Sequence, residues 1–454
     1  MSALLACPTS GRSLTTVDGG WRSAASKTDY LSLGTVPFLC PQPEATKAHW
    51  RYRYNALMAN LEHQLQSAQA SMAHAQDLSH TRLKYLVAGL ESHLVELEQL
   101  LAPLQPSTPV GIELHQALGS ELLRHHDLTT YATNIFRDWG WGETENKVVA
   151  DHLLGYDLKL PEQPKILIIG AGAGKLALDI HGGLKGGLTV ALDANPLMCL
   201  VAQHMYRGEP LTLTEFPLAP RSVETVAVTQ KLCGRQTQGI EVICGDAANL
   251  PFLADSFDLV VTPWITDVLE APLLGFLRGI SRVLKPGGYW VNHGSVAFEG
   301  PPHSRLLAEE LSLLSTQAGF AVQHLADTTL PYLHSPHSRQ QRMEMTSTQV
   351  AILHDQPKEI SPSHTHHTAP DWLLDSKQAI PLSDAFRTQL TTTRINAFIM
   401  GLIDGQRSLN DIANVMEEQR LMPRDQALVA VRGFVQKMHE EASASGGYAQ
   451  PPAD

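Results

Sequence analysis

No Cys-x-x-Cys pair occurs in this chain. Its five cysteines, Cys7, Cys40, Cys199, Cys233 and Cys244, are scattered and odd in number. That usage excludes a disulfide framework and points to a reducing compartment. Nor does any run approach the ~18 apolar residues that a membrane helix needs. The opening stretch, MSALLACPTSGRSLTTVDGG, lacks a basic start, and its apolar part is too short for a secretory signal. Positive charge is outweighed as well: the formal net charge is -12, which argues against a general binder of nucleic acid or anionic membrane. A soluble cytoplasmic protein is expected, with neither nucleic acid nor membrane among its partners.

What is there suffices for several folded units. A chain of 454 residues exceeds one ordinary domain, and 43% hydrophobic content supports a sizeable core. Residues 1–42, rich in Gly, Ser, Thr and Pro, read as a flexible or extended arm. Residues 43–160 read as a helical region. In it Leu57, Leu61, Leu65, then Leu83, Leu86, Leu90, Leu94, Leu97 and Leu101 recur at three- and four-residue steps until prolines at 103, 106 and 109 end the run. Two or three antiparallel helices follow from that period, either as a structural cap or as a dimerising coil that would make a homodimer. Residues 161–354 alternate strand-like and helical stretches, the pattern of a parallel sheet with helices on both faces. The stretch 355–370 is a linker by composition, and its His364, His366 and His367 read as solvated, so no metal is expected. Residues 371–442 form a small helical unit, with Ser408 as N-cap and Asp411 at N3 of one helix. Residues 443–454 read as a disordered tail.

The chemistry gathers between Lys165 and Asn195. An apolar run, KILII, leads into a glycine turn, GAGAGK, in which Gly170, Gly172 and Gly174 let a backbone approach a nucleotide-like ligand without a Cβ in the way. Asp193 closes the next strand about 20 residues on, where a carboxylate accepts hydrogen bonds from ribose hydroxyls. VICGDAANLPF then puts Asp246 at a third strand end, with Ala247 beside it, placed to accept from an exocyclic adenine amine near Leu250 or Phe252. DSFDLVVTPWITDVL carries Thr262, Pro263, Trp264 and Asp267 at a fourth strand end, and ISRVLKPGGYWVNHG adds a helix, a Pro-Gly-Gly turn and a fifth strand.

This succession resembles the class I S-adenosylmethionine-dependent methyltransferases over residues 160–300. The resemblance implies a Rossmann-like, doubly wound α/β fold and S-adenosyl-L-methionine as cofactor. With NIFRDWGWGETEN upstream and VVTPWITDVLE and LKPGGYWVNHGS downstream, the chain looks like the carnosine N-methyltransferase family. In that family an FxRDW-like segment folds over the cofactor. The likeness gives Arg137 the methionine carboxylate and Asn134 the contact before it; a guanidinium grips a carboxylate by two parallel bonds. Arg137 as a surface residue capped by Asp138 is the other reading.

On the acceptor side the resemblance implies Asp267 facing the substrate, while Asp267 as a helix N-cap is equally open. Trp264 at the same strand end is another candidate contact, as are Tyr332 and His334, which lie just before the segment where the family has tyrosines and could serve instead. Two departures stand out. The family's His beyond the fifth strand is replaced at Phe298-Glu299, while His293 lies earlier on the strand, and the tyrosine-rich segment is represented by RQQRMEMTSTQ. Asp267 or a His at 293, 334 or 337 is expected to take the acceptor proton. The implied reaction is N-methylation of a small imidazole- or amine-containing compound or peptide. FIMGLIDGQRSLNDIANVM resembles a PqqD-like segment, which implies a peptide-tailoring alternative in which the C-terminal unit recognises the substrate. A non-catalytic cofactor-binding protein is the third reading.

Overall fold

The computed structural model describes residues 1–104, 127–269, 272–298, 305–354 and 379–444. The chain divides into two units, Met1–Thr368 and Ala369–Asp454. Among the described residues no helix is long and apolar enough to cross a membrane. The expectations for the linker at 355–370 and for most of the C-terminal tail lie outside the described residues.

The first unit begins with an antiparallel meander: β1 (Thr15–Val17), β2 (Gly20–Ser23), β3 (Thr28–Leu33) and β4 (Val36–Leu39). Two long helices follow, α1 (Pro43–His74) and α2 (Asp77–Leu101), which bury the expected leucine stripe at Leu61, Leu83, Leu90, Leu97 and Leu101. After a short α3 (Ala132–Phe136), a π-helical turn (Arg137–Trp141) and α4 (Glu143–Leu154), the chain enters the sheet at β5 (Lys165–Ile169). Then come α5 (Lys175–Gly183), β6 (Leu188–Asp193), α6 (Pro196–Arg207), the two-stranded β7 (Leu211–Glu215) and β8 (Val228–Leu232), β9 (Ile240–Gly245) and β10 (Phe257–Pro263). The unit closes with α7 (Leu273–Val283), β11 (Leu284–Gly294), α8 (Ala308–Gln317), and the antiparallel pair β12 (Phe320–Tyr332) and β13 (Arg342–Leu353).

Eleven strands form one sheet in the order β1-β2-β3-β4-β9-β6-β5-β10-β11-β13-β12. From β4 to β11 every neighbour is parallel, and β13 turns antiparallel against β11. Ile166, Leu167, Ile168 and Ile169 of β5 are all fully buried, as a central strand covered on both faces requires. This is the expected doubly wound α/β architecture.

Residues 1–42 depart from the expected arm. Their Gly and Pro punctuate short strands, and β4 extends the parallel sheet beyond β9 through Phe38 opposite Cys244 and Leu39 opposite Gly245. On the other side, the Ala6 N–H donates to the Pro251 carbonyl (2.9 Å) and the Leu253 N–H to the Leu4 carbonyl (2.9 Å). The 245–253 segment is thereby held from both flanks. Leu5, Tyr30 and Leu39 bury against Leu250, Phe252 and Phe257 in one core cluster. Composition misleads here because the stabilising partners are distant in sequence.

The second unit packs α9 (Asp384–Leu402), α10 (Leu409–Glu418) and α11 (Arg424–Ala444) around Ile399, Ile412, Met416 and Val431. The expected cap is present: the Ser408 hydroxyl accepts from the Asp411 N–H (3.2 Å) and Asp411 accepts from the Ser408 N–H (2.8 Å). Among the described residues this unit has no strand.

Leu5 tests whether the N-terminal residues are part of the core. It is 1% exposed, so Leu5→Ala is expected to cost about 2–4 kcal/mol. The readout is a lower urea midpoint at unchanged slope; an unchanged midpoint would return the segment to a loose arm.

Candidate active site

Parallel connections bring the carboxyl ends of β5, β6, β9 and β10 to one edge. There the chain leaves β5 toward β6 on one side and later returns as β10 on the other, the switch point at which open α/β sheets bind ligands. A cavity of about 370 Å³ opens at that edge.

Its floor is the glycine turn. Gly172 has φ +55° and a Cβ built there would meet nothing within 4 Å, so the turn presents bare backbone to the cavity. Gly174, at φ +91°, caps α5, and a Cβ there would lie 2.4 Å from the Tyr206 hydroxyl. That hydroxyl donates to the Gly174 carbonyl (2.7 Å) and locks the turn against α6. Asp193 Oδ2 accepts from the Gly172 N–H (2.8 Å), while Oδ1 accepts from the Asn195 N–H (2.9 Å). Asp246 is fixed in the same manner, by the Ala248 N–H (2.9 Å) and Asn249 Nδ2 (2.7 Å).

Another part of the cavity wall comes from the π-helical turn, a local distortion common at functional sites. Arg137 Nε and Nη2 donate to Asp138 Oδ1 (2.9 and 2.7 Å), and Nε lies 4.0 Å from Glu145 Oε1. Burial opposes the charge on Arg137, but the anionic groups around it, Asp138 first, outweigh that and raise its pKa. Burial also raises Asp138 above the ordinary carboxylate range. Trp139 Nε1 donates to the Ala173 carbonyl (2.8 Å), fastening the turn to the glycine loop. Arg137 does pair with Asp138, but it is not the surface residue of the second reading: its side chain is largely buried and lines the cavity.

Of the residues singled out in sequence, Asn134, Arg137, Gly170, Gly172, Asp193, Asp246, Ala247, Trp264 and Tyr332 line this cavity, and Gly174 stands behind its floor. Trp264 adopts φ +55°, a conformation costing a bulky residue ~1–3 kcal/mol. Its N–H donates to the His293 carbonyl (2.7 Å), and its ring lies 4.8 Å from that of Tyr332.

Asp267, His293 and His334 do not line it. Asp267 is half-buried and accepts from the Ala297 N–H (3.2 Å), with burial raising its pKa, so it braces the 295–297 turn. His334 Nε2 donates to the Arg342 carbonyl (2.7 Å), and the His334 backbone N–H donates to Glu145 (3.3 Å). His293 is fully buried behind Trp264, with Nδ1 2.9 Å from Thr348 Oγ1 and His152 as its ring neighbour. Among the wall residues not anticipated as such are Trp50 from α1, Tyr131, Asp138 and Glu145. Trp50 carried no usable signal, because in sequence it is one more apolar residue of a long helix. Asp138 and Glu145 lie within the RDWGWGETE stretch that drew attention to Arg137.

Residues 167–292 match the family described as a methyltransferase domain. A comparison with curated proteins returns no match. Among solved structures, the chain is similar to one from the complex between the Haloferax volcanii Trm112 methyltransferase activator and a methyltransferase (17% identity, 50% of this chain and 98% of that one, TM-score 0.36). Others are a SAM-dependent methyltransferase of Methanosarcina mazei (20%, 43% and 94%, TM-score 0.31) and one from Aquifex aeolicus (17%, 46% and 97%, TM-score 0.30). At this level of similarity it is the strand order, not the likeness, that identifies the architecture. The matched segment carries the glycine turn, Asp193, Asp246 and Trp264, which line one cavity, and the upstream π-helical turn adds to its wall.

Burial, and then the neighbouring His152, lower the His293 pKa to about 3, far below the 6.5 of a free histidine. Between those two values the unfolded chain holds the extra proton, so His293 makes stability fall as pH falls from 6.5 toward 3. His152 is shifted in the same direction. His293→Asn is expected to remove up to about 1.4 kcal/mol per pH unit from that slope, measured by urea denaturation at pH 6, 5 and 4. An unchanged slope would mean that His293 is protonated in the folded protein.

Proposed function

We propose that this protein is an S-adenosylmethionine-dependent methyltransferase of the cytoplasm that N-methylates a small imidazole- or amine-containing, carnosine-like compound. The observation that carries the reading is a cavity lined by two chemically different groups of residues. In one, Asp193 and Asp246 present oriented carboxylates beside bare glycine backbone, which suits a nucleoside. In the other, one guanidinium and two carboxylates, Arg137, Asp138 and Glu145, converge, which suits the zwitterionic head of an amino acid. The five free cysteines fit a reducing compartment.

In this assignment Asp193 takes the ribose hydroxyls, Asp246 and the wall at Ala247 and Met198 take the adenine, and Arg137 with Asn134 takes the carboxylate. The bound cofactor supplies a methyl group already activated on a sulfonium. What remains for the protein is alignment and exclusion of water. Trp264 and Tyr332 both line the cavity, and their rings pack on one another. Asp267 and His293 act behind them, Asp267 on the 295–297 turn and His293 on Trp264, and not on the acceptor itself.

Calorimetry with S-adenosylmethionine tests the proposal. Arg137→Lys keeps a cation beside Asp138 but loses the forked grip. It is expected to weaken S-adenosylmethionine at least ten-fold while leaving adenosine, which has no amino-acid end, within two-fold. Absence of S-adenosylmethionine binding by the unaltered protein would refute the proposal, as would equal weakening of both ligands.

A further inference from the structure

A second cavity, about 320 Å³, adjoins the first and shares Tyr131, Asn134 and Tyr332 with it. Of these, Asn134 is assigned above to the amino-acid part of the cofactor, so the shared wall borders that part of the first cavity. Its outer side is built by two loops stitched together. The Arg339 N–H donates to the Ala219 carbonyl (2.9 Å), the Arg221 N–H to the His337 carbonyl (3.1 Å), and Arg221 Nε to the Ser338 carbonyl (2.8 Å). The β7–β8 connection and the β12–β13 connection therefore form one wall.

Glu215, at the end of β7, lines this cavity and is 2% exposed. Its Oε1 accepts from Ser335 Oγ (3.0 Å); its Oε2 accepts from Gln230 Nε2 (2.6 Å) and Trp141 Nε1 (3.2 Å). All three donors are neutral, and among the described residues no lysine, arginine or histidine forms an ion pair with it. Burial raises the Glu215 pKa, while these donors and the more distant His337 pull it back. A carboxylate so oriented by hydrogen bonds, yet without a counter-charge, is costly in a closed interior and is relieved by a cation placed beside it. The mouth differs: the Arg342 guanidinium lies 4.4 Å over the Tyr332 ring and 3.2 Å from Glu344.

We propose that this second cavity is the acceptor cavity, and that it takes a small organic cation whose ammonium group pairs with Glu215. The proposal rests on the methyltransferase reading above and adds the location and the charge of the acceptor. It also assigns a division of labour. A protonated nitrogen has no lone pair, so the group held by Glu215 is an anchor, and the nitrogen that is methylated is a second, uncharged one lying toward Tyr332. Glu215 is thus a specificity-determining residue, and the acceptor is defined by two nitrogens of different basicity.

Glu215→Gln provides the test without emptying the site. The amide oxygen can retain the Gln230 and Trp141 donors, and the amide nitrogen can donate to the Ser335 hydroxyl. Thermal unfolding is accordingly expected to stay within about two degrees, because no hydrogen bond is lost. Binding would be measured in the presence of S-adenosylhomocysteine with histamine, putrescine and β-alanyl-histidine, and with 4-methylimidazole as a probe lacking the ammonium group. The expected result is that at least one cationic probe binds the unaltered protein, that Glu215→Gln weakens it ten-fold or more, and that 4-methylimidazole and S-adenosylmethionine change by less than two-fold. If S-adenosylmethionine binds but no cationic probe does, or if a probe binds both proteins alike, the acceptor assignment is overturned and the cofactor assignment stands. If S-adenosylmethionine itself does not bind, the underlying methyltransferase reading falls with it.

Discussion

The carboxylate of Asp193 is the junction on which the site depends. One oxygen accepts from Gly172 in the glycine turn and the other from Asn195 at the start of α6. Asn195 in turn caps α6 through Leu197 and donates to the Leu128 carbonyl (2.9 Å) from the segment before the sheet. Three stretches that are far apart in sequence are thus set by a single acidic side chain. Without it, the left-handed backbone at Gly172 would have no partner for its N–H, and the floor of the cavity would lose its shape. The same residue lines the cavity, so the side chain that builds the turn also forms part of its wall.

Around this junction the protein places two supports that an isolated parallel sheet lacks. The N-terminal residues pair with both flanks of the 245–253 segment, and so set the position of Asp246 from outside the domain proper. The π-helical turn carries Arg137 into the cavity, while Trp139 and Trp141 reach away from it to the glycine loop and to Glu215. One five-residue turn therefore contributes to the wall of the first cavity and bonds to both the glycine loop and Glu215 of the second. Strain is concentrated where the ligand ends would meet: Trp264 holds a left-handed backbone because the His293 carbonyl takes its N–H and Gly294 leaves room against its Cα.

Much of this was legible in the sequence, for reasons that are local. Runs such as KILII declare a strand buried on both faces, the glycines must adopt backbone that other residues avoid, and an acid at a strand end has few structural uses. The leucine stripe of α1 and α2 and the Ser408–Asp411 cap are likewise short-range patterns. What was not legible depends on distant contacts. Short strands at residues 15–39 look like punctuation until β9 is beside them, and β7 with β8 is a small pair whose burial comes partly from α2. Trp50 becomes a cavity residue only because a helix begun at Pro43 passes the sheet edge. Asp267 and His293 have the right chemistry, but they turn to the 295–297 loop and to Thr348, and the carboxylate that lines the second cavity is Glu215, which no motif marks.

The central claim is that one cavity holds S-adenosylmethionine with its nucleoside end on Asp193 and Asp246 and its amino-acid end on Arg137. A crystal structure with S-adenosylhomocysteine tests it most directly. The account predicts ribose hydroxyls on the Asp193 carboxylate, adenine beside Asp246 and Ala247, and the ligand carboxylate on the Arg137 guanidinium. A ligand bound in the reverse direction, or bound away from the glycine turn, would contradict it.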